Sequence, residues 1–240
     1  HPLRIAEEVA TVDHISEGHF EFGIGRSGMV KTYNTYDLAY AESQARLRET
    51  LEILRQTWTS EPFNHRGEFY RIDNAIVAPR PYQVPHPPIR MAATSDETFP
   101  IAGRLGLPIF IGLRATEISD LKTQLGPYRD AWRAAGHPGD PSVYLRLPVY
   151  ASPTADGARE EPRESLTSFF ARQTELARQA VGRAGAGPAD RRRQQAERMA
   201  ALSYDDILAR KGAFGTARAV VDRLTALRDE LGIDGVVAEL

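Results

Sequence analysis

Between residues 89 and 151 short apolar runs alternate with amphipathic stretches, and this rhythm limits the fold more than any motif in the chain. Ile89 to Ala93, Pro108 to Gly112 and Val143 to Ala151 read as strands, with helices over Asp96 to Gly106 and Glu117 to Ala135 between them. In the second helix Ile118, Leu121, Leu125, Tyr128 and Trp132 recur at helical spacing, so it has one face to bury. Strands joined by helices pair in parallel, because the helix carries the chain back to the end from which the next strand starts. The expectation is an α/β fold whose functional groups gather at the carboxyl ends of the strands.

The rhythm extends in both directions. Upstream, residues 2 to 15 predict a helix, with Pro2 where a helix tolerates it and Ile5, Val9 and Val12 as its apolar stripe. It leads into the run Phe20 to Gly28, in which Phe20, Phe22 and Ile24 alternate with Glu21 and Gly23 as in a buried strand. A polar, tyrosine-bearing loop is expected from Ser27 to Asp37, then a long helix over about 39 to 58 with Leu47, Leu51, Leu54 and Trp58 on one face. Downstream, Thr216 caps a helix from Ala217 to Leu231, carried by Val220, Leu224, Leu227 and Leu231, and Ile233 to Ala238 forms a last strand. That makes five core strands in a single domain spanning residues 1 to 240. Two segments interrupt it. Residues 62 to 88 read as a hairpin extension that returns through a proline-rich stretch, and residues 152 to 211 as a helical insertion. Within the insertion Gly182 to Pro188 reads as a loop, and Arg191, Arg192 and Arg193 as a solvated helix face.

Composition excludes several classes of function. The chain has no cysteine, which removes disulfides, thiolate nucleophiles, Cys-ligated zinc and iron–sulfur clusters. Its formal charge of -2 offers no general attraction to nucleic acid or anionic lipid. The histidines at 1, 14, 19, 65, 86 and 137 form no metal-ligand spacing, so no metal is expected, and His14 reads as structural. No apolar run approaches membrane-spanning length, and the first residues do not form a signal peptide, so the expected location is the cytoplasm. The chain opens on His1-Pro2 directly in a helix, and reads as the continuation of a longer protein.

At the end of the Phe20 strand, Gly23-Ile24-Gly25-Arg26-Ser27-Gly28 presents a guanidinium and a hydroxyl beside glycines that admit close approach. Arg26 reads either as an anion ligand, for a phosphate or carboxylate, or as the partner of a structural carboxylate.

Three stretches in order, HPLRIAEEVATVDHISEGHFEFGIGRSG, GEFYRIDNAIVAPRPYQVPHPPIRMAATSDET and GAFGTARAVVDRLTALRDELGIDGVVAEL, strongly resemble the bacterial-luciferase-like flavin monooxygenases. The resemblance spans nearly the whole chain and is weakest from about 152 to 211. It implies a TIM (β/α)8 barrel that is incomplete: strands four to eight present, one to three upstream of His1, and the final helices beyond Leu240. It also implies reduced FMN as cosubstrate, or the deazaflavin F420 in some branches. By the same resemblance Arg26 contacts the flavin phosphate, Ser95 and Thr98 hold that phosphate, and Thr94 lines the flavin. Gly215 and Thr216 match a Gly-Thr/Ser-Pro pattern in which Ala217 replaces the proline. Helix capping is the other reading of Ser95, Thr98 and Thr216, and Asp96 and Glu97 favour it, since carboxylates in a first helical turn satisfy the dipole themselves. The catalytic residues of the family have no positions here.

The activity so implied is that of a flavin-dependent oxidoreductase, a monooxygenase acting on a small organic substrate with O2 and a flavin reductase as the source of FMNH2, with a homodimer as the expected assembly. An F420-dependent oxidoreductase of the same fold, a non-catalytic flavin-binding remnant, and an unrelated TIM-barrel hydrolase are the rival readings. The hydrolase is disfavoured because no paired carboxylates or histidines stand at strand ends.

Overall fold

The computed structural model describes residues 1–27, 30–181 and 188–239. The chain divides into two compact units, residues 1–90 and 91–240. Among the described residues no helix is long and apolar enough to cross a membrane.

In the first unit α1 (Pro2–Ile15) starts on His1, whose ring Nδ1 accepts from the Leu3 amide at 3.3 Å. β1 is only Phe22–Ile24, shorter than the run from Phe20 to Gly28 predicts, and the Phe22 amide donates to Pro88 O at 2.8 Å. The segment expected as a loop contains a short helix, α2 (Val30–Thr35), beyond which the Tyr36 amide donates to Thr32 O at 3.3 Å. A 3-10 turn at Tyr40–Glu42 then precedes α3 (Ser43–Thr59). α1 buries Ala6, Val9 and Ala10, and α3 buries Leu51, Ile53, Leu54 and Trp58. The Trp58 indole donates to Ala6 O at 3.3 Å, tying the two helices. His14 is structural, its Nε2 2.7 Å from Arg80 O.

The expected hairpin is present: β2 (Phe63–Arg66) pairs antiparallel with β3 (Arg71–Ala75). Its turn is held from α3 by the buried Glu49. That carboxylate accepts from the amides of Phe69 (2.9 Å) and Tyr70 (2.8 Å) and lies 3.1 Å from His65 Nε2. Gly67 is required there, because an added Cβ would sit 2.1 Å from Glu49 Oε1. Burial alone would raise the Glu49 pKa; the bonds from Phe69, His65 and Tyr70 outweigh it and hold the carboxyl below its ordinary value.

β4 (Ile89–Ala92) carries the chain across the boundary between the units. The second unit continues as α4 (Thr98–Arg104), β5 (Ile109–Gly112), α5 (Ile118–Ala134) and β6 (Val143–Ala151). The insertion follows as α6 (Ala155–Glu160), α7 (Arg163–Val181), α8 (Pro188–Ala200) and α9 (Tyr204–Arg210). β7 (Ala213–Gly215), α10 (Ala217–Leu231) and β8 (Gly235–Glu239) complete it. β4 pairs with β5, and β5 with β6, all in parallel. β8 pairs in parallel along Tyr144 to Pro148 of β6, and β7 along Val149 to Ala151. This is the parallel α/β arrangement that the rhythm predicts. β7 is the strand the sequence does not announce, since three residues are too few to show a period. The loop expected from Gly182 to Pro188 lies outside the described residues up to 187.

α5 shows how this unit is held. Leu121, Leu125, Tyr128 and Trp132 are buried, and each side chain of this size contributes about 1.5 to 3 kcal/mol when it leaves water. The Tyr128 hydroxyl also donates to Leu107 O at 3.0 Å. α4 packs so closely that a Cβ at Gly103 would lie 2.4 Å from Tyr128 O. At the far end of α10, Arg129 Nη2 donates to Leu231 O at 2.9 Å and Gly232 O at 3.0 Å, serving carbonyls that the helix leaves free. The insertion has a small core of its own, Leu166, Phe170 and Ile207.

Removing the Glu49 carboxylate strands several donors at once. Glu49→Ala is expected to lower the unfolding free energy in urea by about 2 to 3 kcal/mol at neutral pH. Because the folded-state pKa is depressed, that contribution is complete above the ordinary carboxylate value of 4.5 and disappears as pH falls through the folded value. The gap between variant and parent therefore narrows on acidification; a gap that widens would contradict the assignment.

Candidate functional site

In the second unit the carboxyl ends of β4, β5 and β8 and the middle of β6 border a cavity of about 140 Å³. Thr94, Gly112, Arg114, Thr116, Arg146 and Glu239 are among its lining residues. The strand pattern accounts for this placement. Val143, Leu145 and Leu147 of β6 are fully buried on one face, and Arg146, between them, points to the other. Register places Gly112 and Val237 opposite Arg146, and Glu239 two residues further along on the same face as Val237. An ion pair joins Arg146 Nη2 to Glu239 Oε1. Arg114 follows the end of β5 and lies with its Cζ 5.8 Å from the Phe169 ring centroid. Burial is the largest reason its pKa is lowered; the like charge of Arg146 adds to the effect and Glu239 opposes it.

The loop carrying Arg114 and Thr116 is tied down by Lys211, which is 2% exposed. Its ammonium donates to Thr116 O at 3.0 Å and to Glu117 Oε1 at 2.6 Å. Glu117 also forms a capping box with Asp120 at the start of α5. A larger void of about 390 Å³ adjoins the same loop and shares Thr116, Gln124 and Gln195 with the first cavity.

Of the residues singled out from the sequence, Thr94 lines the cavity. Ser95 and Thr98 are brought together, their hydroxyl oxygens 2.9 Å apart. The Thr98 amide donates to Ser95 O at 2.8 Å, so residues 95 to 98 close a turn and α4 begins at Thr98, two residues later than predicted. Asp96 and Glu97 consequently precede the first helical turn, and Asp96 Oδ1 accepts from Gln124 Nε2 at 2.7 Å. The side chain at the cap position, Glu97, makes no capping hydrogen bond, and neither does Ser95 take that role. Thr216 does cap α10, accepting from the Ala219 amide at 3.4 Å, with Gly215 ending β7 before it. In the first unit Arg26 Nη1 donates to Ser43 Oγ at 3.2 Å and its Cζ lies 5.3 Å from the Tyr40 ring centroid. Among the described residues no carboxylate pairs with it. Sequence reasoning passed over Arg114, Arg146 and Glu239. Their only signal is position: Arg114 and Glu239 lie just past predicted strands, and Arg146 is a charged residue inside one.

A parallel α/β sheet with a polar cavity outside its carboxyl edge defines a ligand-binding α/β protein of the kind that places chemistry at strand ends. The profile described as luciferase-like monooxygenase matches residues 1–235, and the chain belongs to that family. It is similar to an FMNH2-dependent dimethylsulfone monooxygenase of Pseudomonas putida, 24% identical over 249 residues that cover 99% of this chain and 65% of that protein. The chain thus spans less than two thirds of the length of that relative. Among solved structures it is similar to the oxygenating constituent of 3,6-diketocamphane monooxygenase of Pseudomonas putida, in complex with FMN. There the TM-score is 0.80 at 19% identity, over 100% of this chain and 69% of the other. The coenzyme F420-dependent tetrahydromethanopterin reductase of Methanopyrus kandleri gives a TM-score of 0.73 at 18% identity, over 100% and 74%. At such identities the structural likeness concerns the fold.

Lys211 should matter to the cavity through its loop. Lys211→Met keeps the aliphatic stem but leaves Thr116 O and Glu117 without their donor, and is expected to cost about 1.5 to 3 kcal/mol in urea unfolding. A double-mutant cycle with Glu117→Gln that shows no coupling would contradict this.

Proposed function

We propose that this chain belongs to a flavin-dependent oxidoreductase, a monooxygenase that uses reduced FMN and O2 on an organic substrate, with a separate flavin reductase as the source of FMNH2. The observation that carries the reading is the match of the family profile along residues 1–235. In this reading β1, β4, β5, β6 and β8 are strands four to eight of a (β/α)8 barrel, and the cytoplasm is the site of action.

The residues present fit a flavin phosphate in their chemistry. Ser95 and Thr98 offer two hydroxyls 2.9 Å apart at the turn before α4. Asp96, in the same turn, accepts from Gln124 Nε2 at 2.7 Å. Arg26 has a hydroxyl and a ring as partners among the described residues, and its guanidinium has further N–H donors to offer an anion. Thr94 would face the flavin from the end of β4. Thr216 uses one lone pair on the Ala219 amide and retains its O–H to donate, beside Gly215. Bound reduced flavin supplies the electrons for activating O2; the protein's own part is to grip the phosphate, keep water away and place the substrate. F420 is the second reading, since the same phosphate grip would serve it.

Titration with FMN, with riboflavin and with F420 tests the reading, followed by turnover with reduced flavin and O2. Binding without turnover would leave a flavin-binding protein and remove the enzyme. Arg26→Ala is expected to weaken FMN by about 1.5 to 3 kcal/mol, the value of a charge-assisted hydrogen bond, and riboflavin much less. Equal losses for the two would rule out a phosphate contact.

A further inference from the structure

The charges around the 140 Å³ cavity do not balance. Arg114 and Arg146 bring two guanidiniums and Glu239 brings one carboxylate. The remaining lining groups, including Thr94, Thr116, Gln124 and Gln195, are neutral. Glu239 is spent on Arg146 through their ion pair. Arg114 makes no hydrogen bond or ion pair among the described residues; an aromatic ring, Phe169, is its neighbour. Drawing a cation partly out of water costs free energy, and burial together with the like charge of Arg146 lowers the Arg114 pKa despite the opposing pull of Glu239, which makes no ion pair with it. An anion entering the cavity would remove that cost and find a forked donor already aimed at it.

We propose that this cavity seats the anionic head of the substrate, an organic carboxylate or sulfonate, with Arg114 as its ligand and the Arg146–Glu239 pair as a fixed wall beside it. That the anion belongs to a substrate rests on the flavin monooxygenase reading; that the cavity takes an anion does not. Size supports a small organic acid, since a cavity of about 150 Å³ accommodates benzene. Thr94 and Thr116 supply hydroxyls within the lining, and Ala93 and Leu121 supply apolar wall for the body of the molecule. The flavin's own phosphate is the other source of an anion, and the experiment separates the two.

Benzoate, benzenesulfonate and the neutral isostere benzamide serve as probes, titrated calorimetrically into the protein, with FMN affinity followed by fluorescence in parallel. The parent should bind benzoate and benzenesulfonate at least about ten-fold more tightly than benzamide, the lower end of what a charge-assisted hydrogen bond contributes. Arg114→Gln should bring benzoate to within about two-fold of benzamide, and Arg114→Lys should restore part of the preference, while both keep the parent's FMN affinity within about two-fold. Glu239→Gln should shift the other way, tightening benzoate, because it leaves two guanidiniums unopposed; this arm keeps the test decisive if Arg114→Gln does not fold. The proposal is overturned if the parent binds benzamide as well as benzoate. It is also overturned if Arg114→Gln spares benzoate and weakens FMN instead, since the guanidinium then serves the flavin phosphate. A parent that prefers benzoate but does not bind FMN would sink the flavin reading and leave the anion site standing.

Discussion

Parallel pairing in the second unit is the constraint from which the rest follows. In parallel strands every residue of one strand shares a face with its register partner, and all strands end on the same side. Ile109, Ile111, Val143, Leu145 and Leu147 therefore fall on one face and are buried at 2% exposure or less. Phe110 and Tyr144 are register partners on the other, with rings 6.1 Å apart at 78°. The same face continues through Gly112, Arg146 and Glu239, which is how an aromatic layer leads into a charged cavity. The buried hydroxyl bonds and the cavity lie at opposite ends of the strands. Tyr128 bonds the carbonyls of Leu107 and Ser142, just before β5 and β6 begin, whereas Arg114 and Glu239 stand where β5 and β8 finish.

How much of this was legible follows from length and period. α1, α5 and α10 are long enough for their apolar stripes to repeat several times, and their bounds agree with the sequence reading to within a residue or two. The strands from Ile89 to Ala151 were legible because each is a compact apolar run between helical patterns. Short elements were not. β7 has three residues, and α2 has six in a stretch too polar to display a stripe. α4 was read two residues too early because Asp96 and Glu97 look like first-turn carboxylates, whereas the Thr98 amide bonds Ser95 O and makes them part of a turn.

The candidate site was legible in a different way. Thr94, Ser95 and Thr98 enter through a family resemblance, and spacing alone leaves Ser95 and Thr98 as caps. Arg146 was invisible for a physical reason. In an alternating strand the polar residue between two leucines is read as solvent-facing, and Arg146, with its side chain half exposed, satisfies that reading while also lining a cavity. Period two tells which face a residue is on; it cannot tell whether that face is open water or the wall of a site.

Two charged clusters show what separates a structural charge from an available one. Glu49 is a carboxylate whose acceptor capacity is consumed by the amides of Phe69 and Tyr70 and by His65, and Gly67 leaves no room for anything further. Its charge is settled within the fold, so its chemistry goes into holding a hairpin turn. Glu239 is likewise committed, but to one of two guanidiniums, and the second stands over a ring in a cavity with neutral walls. A fold gains little from a half-buried cation that no carboxylate pairs directly, since desolvation opposes it and a surface position would cost less. An arrangement that carries such a cost at the carboxyl edge of a parallel sheet, where ligands bind, is best explained by the anion that would complete it.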